Sequence, residues 1–294
     1  VCNECGADYP KWQGQCGECH AWNTLSEIRL SAPAGKPSAG GRSARRSGFA
    51  GSIAAVQKLA DMAVVDLPRL ASGFEEFDRV LGGGLVPGSS ILIGGHPGAG
   101  KSTLLLQTLC RLAARHAALY VTGEESPEQI AMRAKRLGLP SDQLQLLAET
   151  DVDAILASAE ELNPAILVVD SIQVVHSETL TSAPGSVSQV RDCAAQLTRY
   201  AKQTGTVLIL VGHVTKDGTL AGPKVLEHMI DCSILLEGEH DSRYRTLRGQ
   251  KNRFGAVNEL GIFAMTDIGL KEVSNPSAIF LDRSEHTAPG PTVV

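Results

Sequence analysis

The run "GGHPGAGKST", residues 94–103, constrains this chain more than any other. It fits G-x-x-x-x-G-K-[ST] with Gly95, Gly100, Lys101 and Ser102 in the fixed places. The apolar run "SILIGG" (90–95) precedes it and reads as a buried strand. A helical pattern from Lys101 to about His116 follows. Strand, glycine-rich loop and helix is the setting in which backbone N–H groups wrap a phosphate chain and the helix N-terminus adds positive potential. The cradle is therefore Gly95, His96, Pro97, Gly98, Ala99, Gly100, Lys101, Ser102 and Thr103. In that reading Lys101 reaches the β- and γ-phosphates of ATP and Ser102 ligates Mg2+.

The surrounding pattern agrees. "ALYVTG" (118–123), "LQLLA" (144–148), "AILVVD" (165–170) and "TVLILVGH" (206–213) are short apolar runs. Helical patterns separate them, one from Pro127 and a long one at about 187–204. Such alternation predicts βαβ units, so the fold class is α/β, a mostly parallel sheet flanked by helices. "CSILLEG", "YRTLRGQK" and "GIFAMT" are strand-rich with short connections and are expected as antiparallel strands at the sheet edge.

Polar groups at strand ends supply the remaining chemistry. Asp170 closes "ILVVD" at the sheet edge where the nucleotide sits, a place to hold Mg2+ through water. Glu124, in "YVTGEES", can orient and deprotonate an attacking water; capping of the next helix by Glu124 and Glu125 is the alternative. His213, in "GHVTKDG", is placed to sense the γ-phosphate.

Cys2, Cys5, Cys16 and Cys19 spell C-x2-C-x10-C-x2-C. Two such knuckles give the tetrahedral thiolate set of a structural Zn2+, closed to catalysis. About 28 residues cannot fold on an apolar core alone, so the metal supplies the folding energy. Tyr9, Trp12 and Trp22 are expected to pack over it, a stacking or docking surface being the alternative.

Together "LGGGLVPGSSILIGGHPGAGKSTLLLQ", "TGEES", "ILVVDS", "GHVTKDGTLAGPKVLEHMID" and "KNRFG" resemble the RecA-type ATPase core. With the four-cysteine motif ahead of them, they are similar to the bacterial RadA (Sms) family of DNA repair proteins. The resemblance implies a RecA-like P-loop ATPase core behind a small zinc finger. It also implies an oligomeric ring, a hexamer, that hydrolyses ATP between subunits and acts on single-stranded and branched DNA in recombination, with the RecA recombinase as a partner. Lys251 and Arg253 of "KNRFG" would act on the neighbouring subunit's γ-phosphate, as an arginine finger does. Two loops, about 176–190 and 214–224, would face DNA. They are rich in Gly, Ser and Thr and are expected to be mobile, with Arg191, Lys216 and Lys224 as cations. A switch of the KaiC-like type, in which ATP controls a protein partner, is the alternative. That family continues into a Lon-like domain. This chain starts on Val1 and stops at "EHTAPGPTVV", so a truncated sequence is expected.

Composition bounds the rest. Of the 294 residues 20% are charged, and the net charge of −5 argues against a uniformly basic nucleic-acid binder without excluding binding, which depends on where the cations sit. The stretch between Glu27 and Asp61 holds six Arg or Lys and no acid, which the average hides. No run is long enough to span a membrane. Seven cysteines without a secretory leader point to a reducing compartment, the cytoplasm. The expected division is a zinc finger over 1–28, a flexible basic linker over 29–65, the ATPase domain over 66–282, and a linker start over 283–294.

Overall fold

The computed structural model describes residues 2, 7, 11, 13–22, 24–25, 68–213, 224–238 and 242–273. The basic stretch before residue 68, Cys5, Tyr9, Trp12 and the loop over 214–223 lie outside these residues.

Among the described residues, nine strands form one sheet. Their ranges are β1 (Ser90–Gly95), β2 (Ala118–Thr122), β3 (Gln145–Ala148), β4 (Ile166–Asp170), β5 (Val207–His213), β6 (Cys232–Glu237), β7 (Tyr244–Asn252), β8 (Leu260–Thr266) and β9 (Gly269–Glu272). The spatial order is β3-β2-β4-β5-β1-β6-β7-β8-β9. The first six in that order are parallel, and β7, β8 and β9 follow antiparallel. The helices are α1 (Glu75–Leu81), α2 (Lys101–Ala113), α3 (Pro127–Arg136), α4 (Val152–Leu162), α5 (Val187–Thr204) and α6 (Lys224–Glu227).

The continuous apolar runs follow from burial on both faces, as parallel strands require. Side chains alternate along a strand. Val207, Ile209 and Val211 of β5 therefore join one core, with Leu104, Leu105 and Leu109 of α2 and Ile130 of α3. Leu208 and Leu210 join the other, with Ile155 of α4 and Val190, Leu197 and Ala201 of α5.

One expectation is corrected. β6, "CSILLE", is not an antiparallel addition; it runs parallel beside β1, pairing Ile91 with Cys232 and Gly94 with Leu235. Residues 214–231 separate β5 from β6, long enough for a crossover, and a crossover returns the chain in the same direction. The two other tail runs are antiparallel, as expected. α1 and β9 were not expected from the sequence. α1 begins without a side-chain cap and ends on Gly82, whose φ of 82° is the left-handed stop that glycine permits.

Candidate functional site: a phosphate cradle at the C-terminal sheet edge

The strand order decides where the chemistry gathers. β5 lies between β1 and β4, so Gly95 faces His213 across one ladder. Asp170 aligns with Thr122 across another, two residues before Glu124. The ends of four parallel strands thus deliver the cradle, Glu124, Asp170 and His213 to one edge.

The loop from Gly95 to Gly100 has no room for other residues at its ends. Gly95 has φ 158°, and a Cβ there would sit 2.4 Å from the Leu236 carbonyl oxygen. Gly100 has φ 105° and is the N-cap of α2, which receives no side-chain cap. By contrast α3, α4 and α5 begin under the side chains of Ser126, Asp151 and Ser186. The first-turn N–H groups of α2 are those that a phosphate would satisfy. Lys101 turns back into the loop: its Nζ donates to the Gly95 carbonyl at 2.7 Å and the His96 carbonyl at 3.0 Å. Burial lowers its pKa, and the nearby carboxylates of Asp170 and Glu124 oppose that shift. Both acids therefore share one electrostatic environment with the lysine.

Glu124 Oε1 accepts from the Ser171 hydroxyl and lies 3.1 Å from His213 Nε2. Nδ1 of His213 is buried and has no hydrogen-bond partner among the described residues. Glu125 does something different: it pairs with Arg133 of α3. The cap of α3 is Ser126, reciprocated by Gln129. The two glutamates separate, and neither is the helix cap. Asp170 is buried, and its Oδ2 accepts from the Tyr120 hydroxyl at 2.5 Å. Burial and the Asp170 charge push the Tyr120 phenol well above its ordinary pKa, so the hydroxyl is a donor. Arg245 of β7, 7% exposed, donates from Nε to the Ala99 carbonyl of the cradle at 3.1 Å. The sequence reading gave Ser171, Tyr120 and Arg245 no role, and it missed all three.

"KNRFG" sits elsewhere. The Arg253 backbone N–H donates to the Asp231 carbonyl, and that of Asp231 donates to Ser90, the first residue of β1. The pentapeptide therefore lies at the N-terminal edge of the sheet, across the length of β1 from the cradle. Three of its residues hold the turn. Asn252 donates to the Val80 carbonyl at 3.2 Å and accepts from the Phe254 N–H at 2.8 Å, and Gly255 packs so tightly that a Cβ would lie 2.9 Å from Gly82 Cα. The two cations are what remains. Lys251 donates to the Glu227 carbonyl and, at 2.8 Å, to that of Ile230. Arg253, with about half its side chain exposed, lies 3.2 Å from Asp231 Oδ1.

Asp231 is 2% exposed and organises this edge. Its carboxylate also accepts from Lys202 Nζ at 3.0 Å and from the Ser90 N–H and hydroxyl, each at 3.0 Å.

Of the three cations expected to face DNA, only Arg191 has its side chain among the described residues. Arg191 is exposed on α5, only the backbone of Lys224 is described, and Lys216 lies outside the described residues. The first loop is held, contrary to the expectation of mobility. Buried Gln189 accepts from the Ser177 N–H at 2.8 Å and donates to the carbonyls of Ser177 at 3.2 Å and Ser182 at 2.9 Å.

In the N-terminal unit the Sγ atoms of Cys2, Cys16 and Cys19 all lie within 4.8 Å of one another, and those of Cys2 and Cys19 are 3.6 Å apart. A tetrahedral site with Zn–S bonds of about 2.3 Å needs S···S separations of roughly 3.8 Å, so the thiols fit Zn2+. Cys5 lies outside the described residues. Trp22 is 69% exposed and does not cover the site.

Comparison with known proteins agrees with this geometry. The profile of the AAA domain family matches residues 56–219, more than half of the chain. This chain belongs to the AAA domain family. The AAA-type P-loop ATPase domain, which binds ATP, is preceded by a zinc ribbon: residues 1–27 match the rubredoxin metal binding domain. Over its full length the chain is 64% identical to the DNA repair protein RadA of Escherichia coli (strain K12) across 296 residues, and 47% identical to that of Bacillus subtilis (strain 168) across 298. The chain spans 64% and 63% of those two proteins. No helix among the described residues is long and apolar enough to cross a membrane.

Proposed function

We propose that the chain is the motor portion of an oligomeric, DNA-dependent ATPase that acts on single-stranded and branched DNA during recombination repair and drives branch migration. One observation carries the reading. The cations of "KNRFG" lie at the opposite sheet edge from the cradle of their own chain. The six residues of β1 put about 17 Å between those edges at the ordinary strand rise. An arginine side chain spans about 7 Å at ordinary bond lengths. Lys251 and Arg253 are thus useless to their own nucleotide, and a neighbouring subunit is the place where they can act. A closed ring, with six copies as the resemblance suggests, gives every cradle one such neighbour.

The roles follow from the contacts. On nucleotide binding Lys101 exchanges the Gly95 and His96 carbonyls for β- and γ-phosphate oxygens. Glu124, held on Oε1 by Ser171 and His213, keeps Oε2 to orient water and take its proton. His213 reports the γ-phosphate through that same carboxylate. Ser102 and Asp170 are hard oxygen donors of the kind Mg2+ prefers. When bound, Mg2+ neutralises charge on the β- and γ-phosphates. Arg253 and Lys251 from the neighbour stabilise the departing phosphoryl group, worth roughly 10³–10⁵ in rate for such fingers. The segments 176–190 and 214–224, with Arg191, Lys216 and Lys224, track a DNA backbone without reading sequence. The units are a zinc finger over 1–28, a basic linker over 29–65 and the ATPase domain over 66–282. A cytoplasmic place and a recombinase partner of the RecA type belong to the same reading.

The test is ATP turnover with and without single-stranded DNA, together with particle mass in ADP. DNA stimulation on a closed assembly supports the motor. Indifference to DNA, with phosphate appearing on the protein, favours the KaiC-like switch instead.

A further inference from the structure

The buried hydroxyl of Tyr120 has no part in the chemistry so far. It lies on β2, whose Tyr120 pairs with Val168 and whose Thr122 pairs with Asp170 of β4. Side chains two residues apart on a strand share a face, so Tyr120 and Asp170 meet diagonally across the ladder. The phenol is 1% exposed, and its ring packs in the core that contains Ile130, Ala134 and Val168. The ring cannot move without disturbing that packing, and its Oη is 2.5 Å from Asp170 Oδ2. One oxygen of the carboxylate is thereby fixed, and its rotation about the Cβ–Cγ bond is stopped.

We propose that Tyr120 is a positioning residue for the divalent cation: by holding Oδ2 it presents Oδ1 of Asp170 to Mg2+ and its waters. The inference rests on the reading of Asp170 as the Mg2+ carboxylate. Outer partners of this type restrict the orientation of a ligand and set its basicity. The carboxylate of Asp170 in a chain lacking the hydroxyl would be free to rotate or to turn to Lys101, whose charge it already feels.

The experiment titrates MgCl2 against the binding of a fluorescent ATP analogue to the full chain and its Tyr120→Phe and Asp170→Asn variants. Binding is also measured in EDTA. Tyr120→Phe should leave binding in EDTA within twofold, and raise the half-saturating Mg2+ about tenfold, the lower end of what loss of such a partner costs. An unchanged Mg2+ midpoint in Tyr120→Phe, with the Mg2+ response lost in Asp170→Asn, overturns the proposal and spares the reading of Asp170. An unchanged response in Asp170→Asn overturns both. Should Tyr120→Phe fail to fold, the unaltered sequence is labelled with 3-fluorotyrosine, its four tyrosines being assigned by Phe replacement of Tyr9, Tyr200 and Tyr244. The Tyr120 fluorine resonance should move with MgCl2 in the presence of the nucleotide. A resonance that stays in place overturns the proposal.

Discussion

Replacing Asp231 with alanine tests the organisation of the finger edge. Four donors lose a partner at once. The Ser90 N–H is buried, and a buried donor left unsatisfied costs about 1–3 kcal/mol. The Ser90 hydroxyl can rotate to another acceptor and adds little. Lys202, whose side chain is only 20% exposed, keeps its charge without the carboxylate; removal of one partner from a buried pair costs about 3–5 kcal/mol as an upper range. Arg253 is half exposed, so its share is that of a surface pair, about 0–1 kcal/mol. Partial access of Lys202 to water discounts the largest part, and a loss of about 3–4 kcal/mol is expected. Asp231→Asn keeps an acceptor for Ser90 and should lose about half of that. The assay is urea unfolding followed by far-ultraviolet circular dichroism. Tryptophan fluorescence would not serve, because both tryptophans, Trp12 and Trp22, belong to the N-terminal unit. A loss below about 1 kcal/mol for Asp231→Ala would refute the assignment of Asp231 as the hub of this edge.

Two further outcomes follow from the thiols. A chelator should release one Zn2+ per chain and unfold the segment up to residue 27 while the urea midpoint of the ATPase domain stays in place; release without any change in the ribbon's tryptophan fluorescence would contradict a metal-held fold. Burial pushes the thiols of Cys110 up to about 11 and of Cys193 and Cys232 up to about 12. The unfolded chain releases these protons first, at the ordinary value of 9.0, so it binds fewer protons than the folded one above that pH. Stability should then fall as pH rises from about 9 to about 12, and Cys→Ala replacement at all three positions should flatten that fall.

The parts legible in the sequence are those in which several residue types must occur at fixed spacing. The cradle, the cysteine knuckles and the apolar runs are of that kind, because each is local. Asp170, Glu124 and His213 were legible by their places at strand ends, and the sheet order brings them to one edge. The direction of β6 was not legible, since a strand's own sequence does not say how its connection returns. Asp231, Ser171, Tyr120 and Arg245 were not legible either. Each is a single polar residue that meets the site or the finger edge through a partner 47 or more positions away in the chain, as Ser171 does with Glu124, although Asp231 also meets Lys202 and Arg253 and Arg245 also donates to Ser242 and Tyr244. Gln189 was hidden for the opposite reason: a loop rich in Ser, Thr and Gly suggests mobility, and one buried amide is enough to hold it.

The central claim is that each cradle is completed by cations from another copy. Arg253→Ala and Lys101→Ala chains each lack turnover on their own in this account, the first for want of a finger and the second for want of a cradle. Mixed together, an intact cradle of the Arg253→Ala chain meets an intact finger of the Lys101→Ala chain, and ATP hydrolysis should return in proportion to such junctions. Mixtures that stay inactive at every ratio, while subunits demonstrably exchange, would contradict the account.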